Sequence, residues 1–222
     1  MSLAVETGRR PVARLWWACV ALLVVWAALL AMVLTGSGLA AEDHPALGWL
    51  VRHRIGPLTG IFEAISSTPV DGAAVLLGGA LVLIVAVRTR SVWPVVTLGA
   101  AGVGAVVVAE LVKGIVGRAR PATATMLGTP ESGAGFPSAH TLVLSALAGA
   151  IALVVWRATA SAGVRAAAVG AAVLASVAMG ASRLYLGDHW LTDVLASYAL
   201  AGAVLAAVAA LTPLPRRPAP PQ

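Results

Sequence analysis

Three short polar stretches interrupt an otherwise apolar chain, and their basic side chains suit the binding of a phosphoryl group. Lys113, Arg120 and Arg183 supply one ammonium and two guanidinium groups. Such groups bind a compact oxyanion through several of its oxygens at once. Lys113 is also the single lysine among 15 basic residues. Arg118 lies in the same stretch as Lys113 and is a further possible phosphate-binding residue.

The other polar residues of these stretches predict a nucleophile with an acid–base partner. His189 and Asp193 are four residues apart, so on a helix they share a face. The carboxylate then accepts from one imidazole nitrogen and leaves the other free to attack phosphorus. His140 is a separate imidazole for acid–base catalysis. Ser138 follows a proline and is expected to cap the next helix, whose free N–H groups would face the same anion.

In residue type and spacing, the three stretches resemble the motifs of the type 2 phosphatidic acid phosphatases, also called lipid phosphate phosphatases. The family motifs are K-x6-RP, PSGH and SR-x5-H-x3-D, and they correspond to residues 113–121, 137–140 and 182–193. The departure is Ala139, which stands where the family usually has glycine. Its backbone N–H is retained, but the added methyl group takes up space near the phosphate, so we expect a tuned site rather than an inactive one.

The resemblance implies a metal-independent phosphatase that needs no cofactor and works through a phosphohistidine intermediate. In this scheme His189 attacks phosphorus and Asp193 orients it, while His140 protonates the leaving oxygen and later activates water. The residues implied to hold the phosphoryl oxygens are Lys113, Arg120, Ser138, Ala139 and Arg183.

The composition predicts an integral membrane protein. Of the 222 residues 59% are hydrophobic and 11% charged, and mean hydropathy is +0.92. Soluble domains are about half apolar and about a quarter charged. Disorder and disulfide-stapled scaffolds are excluded, since the lone Cys19 has no internal partner. A net charge of +6 ordinarily suggests nucleic acid, but the basic residues form no single patch, so we expect a lipid bilayer as partner and no nucleic acid.

Runs without charge predict an all-α, polytopic membrane protein with six transmembrane helices in a bundle. Residues 1–14 are expected to form a cytoplasmic amino-terminal segment, 15–211 the membrane phosphatase domain and 212–222 a proline-rich cytoplasmic tail. The first run resembles a secretory signal, but it is longer than the roughly 7–15 residues of a signal core, which favours a retained span. The six predicted spans are residues 15–41, 72–87, 91–109, 141–156, 166–182 and 194–215.

The distribution of charge orients these spans in the plasma membrane with both termini in the cytoplasm. In this topology the cytoplasmic side carries nine arginines against one glutamate, whereas the outer side carries six basic and eight acidic residues. Cytoplasmic loops of membrane proteins are enriched in lysine and arginine. The three polar stretches then meet on the extracytoplasmic side, where a lipid can keep its chain in the bilayer while its phosphate reaches the basic cluster.

Residues 42–71, between the first two predicted spans, form a separate outer segment. Asp43 and Pro45 favour a short helix, and apolar residues recur at helical spacing from Leu58 to Ile65. We expect this segment to lie along the membrane surface. It serves either as a packing element that covers the bundle or as a gate for substrate.

The expected function is hydrolysis of a phosphate monoester or diphosphate on a membrane lipid. Phosphatidic acid, phosphatidylglycerophosphate, diacylglycerol pyrophosphate and undecaprenyl pyrophosphate all stay open, as does the oligomeric state. A lipid phosphotransferase acting through the same site is the main alternative. A transporter or channel is less favoured because no predicted span carries a charge near its centre. A vanadate-using oxidase, which resembles the family in the same motifs, is disfavoured by the six spans.

Overall fold

The computed structural model describes residues 3–128 and 130–212, and their side chains except those of residues 3–11, 68–71 and 74. Over this part the chain is helical and contains no β-strand. Two 3-10 helices, Gly38–Glu42 and Thr123–Thr125, lie between the α-helices. The α-helices are α1 (Leu3–Thr35), α2 (Asp43–Arg52), α3 (Gly56–Ile65), α4 (Thr68–Thr89), α5 (Trp93–Val116), α6 (Ala139–Ala158), α7 (Ala162–Leu186) and α8 (Leu191–Leu211).

The predicted all-α membrane fold is confirmed, but the count of six spans is not. Within the described residues, five helices are long and apolar enough to cross a membrane. These are α1 from Val12 onward, α5, α6, α7 and α8. The second predicted span falls in α4, where the apolar part found is the shorter helix Val75–Thr89.

The helix ends differ from the span limits drawn from charge alone. α1 ends at Thr35 and Gly38–Glu42 is a 3-10 helix, so the first span stops before residue 41. α5 continues past Glu110 to Val116, because a charged residue ends an apolar run without ending a helix. Gly117 then ends α5 in the left-handed conformation that favours glycine. Residues 213–222 of the predicted tail lie outside the described residues, as do residues 1 and 2.

The core of the bundle is built around α8. Ala196 and Leu200 of this helix are buried, and Leu200 packs in one cluster with Ala105 of α5 and Leu142 of α6. Small residues allow the helix backbones to approach closely. At Gly202, for example, an added Cβ would lie 2.9 Å from a methyl carbon of Leu22.

The outer segment forms two short helices, as predicted, and it is tied to the end of α7. The ring of Phe62 in α3 lies 4.8 Å from the ring of Tyr185. The backbone N–H of Ile55 donates to the Tyr185 hydroxyl at 2.7 Å, and Nε of Arg54 donates to the Tyr185 carbonyl at 2.9 Å. These contacts support the packing role for the segment and hold α3 and the connection between α2 and α3 against the end of α7.

Candidate active site

The pair His189 and Asp193 lies where α7 turns into α8. His189 is in the connecting turn, and Asp193 is in the first turn of α8, where its Oδ2 accepts from the backbone N–H of Trp190 at 3.0 Å. Nδ1 of His189 lies 3.4 Å from the same Oδ2. Both side chains are buried, at 1% and 0% exposure. The carboxylate therefore faces one nitrogen of the imidazole, as expected, although His189 precedes α8 and does not share a helix face with Asp193.

The other imidazole nitrogen faces the basic residues. Nη1 of Arg120 lies 3.0 Å from Nε2 of His189 and 3.0 Å from the carbonyl oxygen of Asp188. Burial lowers the pKa of His189; Asp193 opposes this effect, while Arg120 and Arg183 add to it. The structure thus favours the neutral imidazole, which is the nucleophilic form.

A carboxylate from the loop before α6 lies among the cationic groups. Oε2 of Glu131 lies 2.8 Å from Nη1 of Arg120, and Oε1 forms an ion pair with Arg183. Nδ1 of His140 is 3.6 Å from Oε1. Burial would raise the pKa of Glu131, but Arg183 and Arg120 outweigh it and lower the pKa. Glu131, which no motif predicts, is therefore an ionised group bound by the residues expected to bind phosphate.

Two donors in this cluster are buried without an acceptor. Nε of Arg120 and Nε of Arg183 have no hydrogen-bond partner among the described residues. Arg183 also forms an ion pair with Asp188 at 2.9 Å. Burial raises the pKa of Asp188, although Arg183 opposes this effect. A buried donor without a partner costs about 1–3 kcal/mol. Oxyanion oxygens would satisfy both donors.

Arg118 binds two carboxylates, and among the described residues it has no ion pair with Glu131. Its Nη1 lies 2.5 Å from Oδ1 of Asp193, and its Nη2 lies 2.6 Å from Oδ2 of Asp43. Its guanidinium carbon also lies 5.7 Å from the centre of the Trp190 ring. These contacts favour a role in holding Asp193 over the phosphate-binding role considered from the sequence.

The amino end of α6 brings the second motif to the site. Ser138 is the N-cap residue, as expected, and its Oγ accepts from the backbone N–H of Thr141 at 3.5 Å. The methyl group of Ala139 packs against the core cluster that includes Ala109 and Leu142. Packing in this direction explains how the site accommodates alanine at a position where the family usually has glycine. The His140 side chain is 39% exposed.

Lys113 lies in the last turn of α5 and is partly exposed. Within the described part of the chain it has no hydrogen-bond or ion-pair partner. Lys113 thus lies at the end of α5 that is near the site, but it makes no hydrogen bond or ion pair with the other described site residues. Its phosphate-binding role stays a prediction.

Some residues beside the motif side chains were not predicted from the sequence. Among them are Asp43, Glu131 and Gly135. An added Cβ at Gly135 would lie 3.3 Å from both Oδ2 of Asp193 and Cγ of Arg120. The backbone N–H of Gly135 also donates to the carbonyl of Arg118 at 2.7 Å. Glycine in the loop just before the second motif was a usable signal, whereas Asp43 and Glu131 have no motif spacing to mark them.

An apolar groove of about 620 Å³ begins beside the site. Its lining runs along one face of α6 from His140 through Val143 and Leu147 to Ile151, with α4 and α7 on either side. The lining is almost entirely aliphatic. The groove therefore offers an apolar chain a path away from the imidazole of His140.

No group of three or more His, Cys, Asp or Glu side chains suited to a metal ion occurs in the described ranges, 3–128 and 130–212. The donor set that the site presents consists mainly of guanidinium groups and imidazoles. Such a set is suited to an anion.

Comparison with known proteins assigns the family. The model of the PAP2 superfamily matches residues 92–217, more than half of the chain. The chain belongs to this superfamily, as a membrane member of the type 2 phosphatidic acid phosphatases. The family assignment made from the three motifs is therefore confirmed, and it supports a phosphatase.

The fold is similar to a solved membrane structure, described as the first transmembrane PAP2 type phosphatidylglycerolphosphate phosphatase from Bacillus subtilis. The TM-score is 0.77 at 20% identity, over 87% of this chain and 94% of that chain. A search of curated proteins gave no match. With its apolar helices and this fold, the chain is a multi-pass membrane protein.

Proposed function

We propose that the protein hydrolyses a phosphate monoester or diphosphate on a membrane lipid through a phosphohistidine formed on Nε2 of His189. The observation that carries this proposal is the position of the buried imidazole. Its Nδ1 lies 3.4 Å from Oδ2 of Asp193, and its Nε2 lies 3.0 Å from Nη1 of Arg120. The nucleophilic nitrogen thus points at a group that binds phosphoryl oxygens.

The reaction takes place in two displacements at phosphorus. In the first, the lone pair of Nε2 forms the N–P bond while the P–O bond to the lipid breaks, and His140 gives a proton to the leaving oxygen. In the second, His140 takes a proton from water, whose oxygen attacks phosphorus and releases inorganic phosphate from His189. Positively charged groups and hydrogen-bond donors stabilise the charge on the equatorial oxygens throughout. The charged groups are Arg120, Arg183 and Lys113, and the donors are Ser138 and the N–H groups at the start of α6.

The apolar groove supports a lipid as the leaving group. It starts at His140, which would protonate the leaving oxygen, and follows α6 as far as Val155. At 1.5 Å per residue this path is about 22 Å long. One candidate substrate is phosphatidylglycerophosphate, the lipid in the description of the Bacillus subtilis protein. Undecaprenyl pyrophosphate and phosphatidic acid are others.

The test of this function is release of inorganic phosphate by purified protein in detergent, in the presence of EDTA, from a panel of these lipids. We expect stoichiometric free phosphate from at least one lipid and none from the His189→Ala variant. Loss of activity in EDTA would contradict the metal-independent mechanism. Appearance of a phosphorylated acceptor in place of free phosphate would identify a phosphotransferase instead.

We further propose that the site lies on the extracytoplasmic side, with both termini in the cytoplasm. Cys19 is the single cysteine and is buried, so an introduced cysteine reports its own accessibility. A membrane-impermeant thiol reagent applied to intact cells should label Thr123→Cys, near the site. It should not label Ala160→Cys, in the loop between α6 and α7 at the opposite end. The reverse pattern would overturn the topology.

A further inference from the structure

Asp43 is a buried carboxylate outside the three motifs, at the start of α2. It is 1% exposed. Its Oδ2 accepts from Nη2 of Arg118 and from the hydroxyl of Thr192, both at 2.6 Å. Its Oδ1 accepts from the backbone N–H of Thr192 at 2.9 Å. Two hydrogen bonds therefore join the outer segment to Thr192, the residue that precedes Asp193, and a third joins it to Arg118.

Arg118 carries these contacts on to Asp193. The same guanidinium that binds Asp43 through Nη2 uses Nη1 to bind Oδ1 of Asp193 at 2.5 Å and the hydroxyl of Thr192 at 2.8 Å. Asp193 then presents its other oxygen, Oδ2, to His189 at 3.4 Å. A continuous series of charged contacts thus connects Asp43 to the imidazole.

We propose that Asp43 is a positioning residue for phosphoryl transfer, acting through Arg118 on the pair Asp193 and His189. The inference rests on the proposed function, because it assigns Asp43 to the step in which His189 attacks phosphorus. No motif includes Asp43, and its sequence segment was expected only to cover the bundle or to gate the substrate.

The charge balance of the network gives the first physical reason. Asp43 and Arg118 neutralise each other, so Asp193 keeps its full negative charge for the imidazole. When Nε2 bonds to phosphorus and Nδ1 keeps its proton, the ring of His189 becomes cationic and needs that charge. Without the carboxylate of Asp43, the guanidinium would be compensated by Asp193 alone and would oppose the cationic ring. These effects are strong in a buried site because screening by water is weak there.

The geometry of α8 gives the second reason. The N–H of Thr192 is one of the first-turn donors that have no partner within the helix. Asp43 accepts from it and so fixes the turn that carries Asp193. A displacement of this turn would move Oδ2 of Asp193 relative to the imidazole.

The test compares Asp43→Asn with Glu42→Gln, which removes an exposed carboxylate one residue away. Asparagine has nearly the same shape, but its amide cannot compensate the charge of Arg118. We expect kcat for the lipid phosphate to fall about ten- to a hundredfold, since a misplacement of catalytic groups by about 1 Å can cost on the order of a hundredfold in rate. KM should stay within about twofold of wild type, since the phosphate-binding groups are untouched, and Glu42→Gln should leave both constants unchanged.

The pH profile of kcat separates positioning from mere structural support. With the charge of Arg118 uncompensated, the pKa of His189 should fall, so the acidic limb of the profile should move to lower pH in Asp43→Asn. The other charged groups that face the imidazole are identical in the two proteins. They are Asp193, Arg120, Arg183, Asp188 and Glu131.

A second variant covers the case in which Asp43→Asn does not fold. Arg118→Lys keeps the charge, but its single ammonium cannot bridge the two carboxylates as the guanidinium fork does. It should show the same loss of kcat. The double variant should lose less than the product of the two single losses, because both changes break the same connection.

Two results distinguish failure of the positioning role from failure of the proposed function. An active wild-type protein whose Asp43→Asn and Arg118→Lys variants keep wild-type kcat and pH profile, with only a lower melting temperature, would overturn the positioning role alone. A wild-type protein that releases no phosphate from any lipid of the panel would overturn the proposed function, and this inference with it.

Discussion

Nη1 of Arg120 donates to Nε2 of His189 across 3.0 Å. Arginine has only donors, so Nε2 must accept and the ring proton lies on Nδ1, toward Asp193. The hydrogen bond thus selects the tautomer in which the lone pair of Nε2 points at Arg120, one of the residues proposed to bind phosphate. Entry of a phosphoryl group between Arg120 and His189 would replace this contact with two new ones.

Replacement of Glu131 by Gln should strengthen the binding of inorganic phosphate. The carboxylate of Glu131 binds Arg120 and Arg183, so an incoming phosphate has to displace it. Removal of the charge leaves the guanidinium groups to the ligand, and we expect the inhibition constant of orthophosphate to fall about tenfold, equivalent to about 1.4 kcal/mol. The measurement is inhibition of lipid dephosphorylation by orthophosphate. Glu110→Gln, on the exposed face of α5, is the control, and an unchanged constant in Glu131→Gln would show that Glu131 does not compete with phosphate.

The buried imidazole of His189 should make the protein less stable in weak acid. Its pKa is lowered in the folded state, whereas that of an unfolded chain lies near 6.5. As pH falls below about 6.5 the unfolded chain binds the proton first, so stability is present above this pH and is lost below it. Melting temperatures between pH 7.5 and 5 should fall more steeply for wild type than for His189→Asn. Equal slopes in the two proteins would contradict the neutral, buried state of the ring.

Replacement of Gly135 by Ala should impair catalysis through two neighbours at once. The new methyl carbon would lie 3.3 Å from Oδ2 of Asp193 and from Cγ of Arg120, so each of them has to give slightly. Because a misplacement of about 1 Å can cost on the order of a hundredfold in rate, we expect this smaller shift to lower kcat by less than that. The comparison is kcat of Gly135→Ala with that of Gly114→Ala, whose Cβ would meet no atom within 4 Å. Equal activity in the two variants would show that the loop yields without disturbing the site.

The sequence was most informative where chemistry fixes residue spacing. The four-residue spacing brought His189 and Asp193 together as expected, although His189 lies in the turn before α8 and not on the helix. Ser138 caps α6 because a hydroxyl after proline is well placed to do so. The membrane fold was equally predictable, since long apolar runs have few alternatives to helices in a bilayer. The limits of the helices were harder to predict, because Glu110 ends an apolar run but α5 continues past it.

The contacts of Asp43 and Glu131 could not be predicted from spacing. Asp43 accepts a hydrogen bond from Thr192, which lies 149 residues later in the sequence, because α2 packs on the turn before α8. Glu131 lies in an irregular loop whose path depends on tertiary contacts. Arg118 shows the same difficulty within a motif. Its positive charge suggested that it binds phosphate, whereas in the fold it binds the carboxylates of Asp43 and Asp193.

The most direct test of the central claim is to trap the phosphoryl group on the protein. Purified protein is mixed with a lipid labelled in its phosphate, quenched in base within one turnover, and examined for protein-bound label that is stable to alkali and released by acid. We predict a labelled wild-type protein, an equally labelled His53→Gln control and no label or turnover in His189→Ala. Phosphate release by His189→Ala at the wild-type rate would contradict the assignment of His189 as the nucleophile.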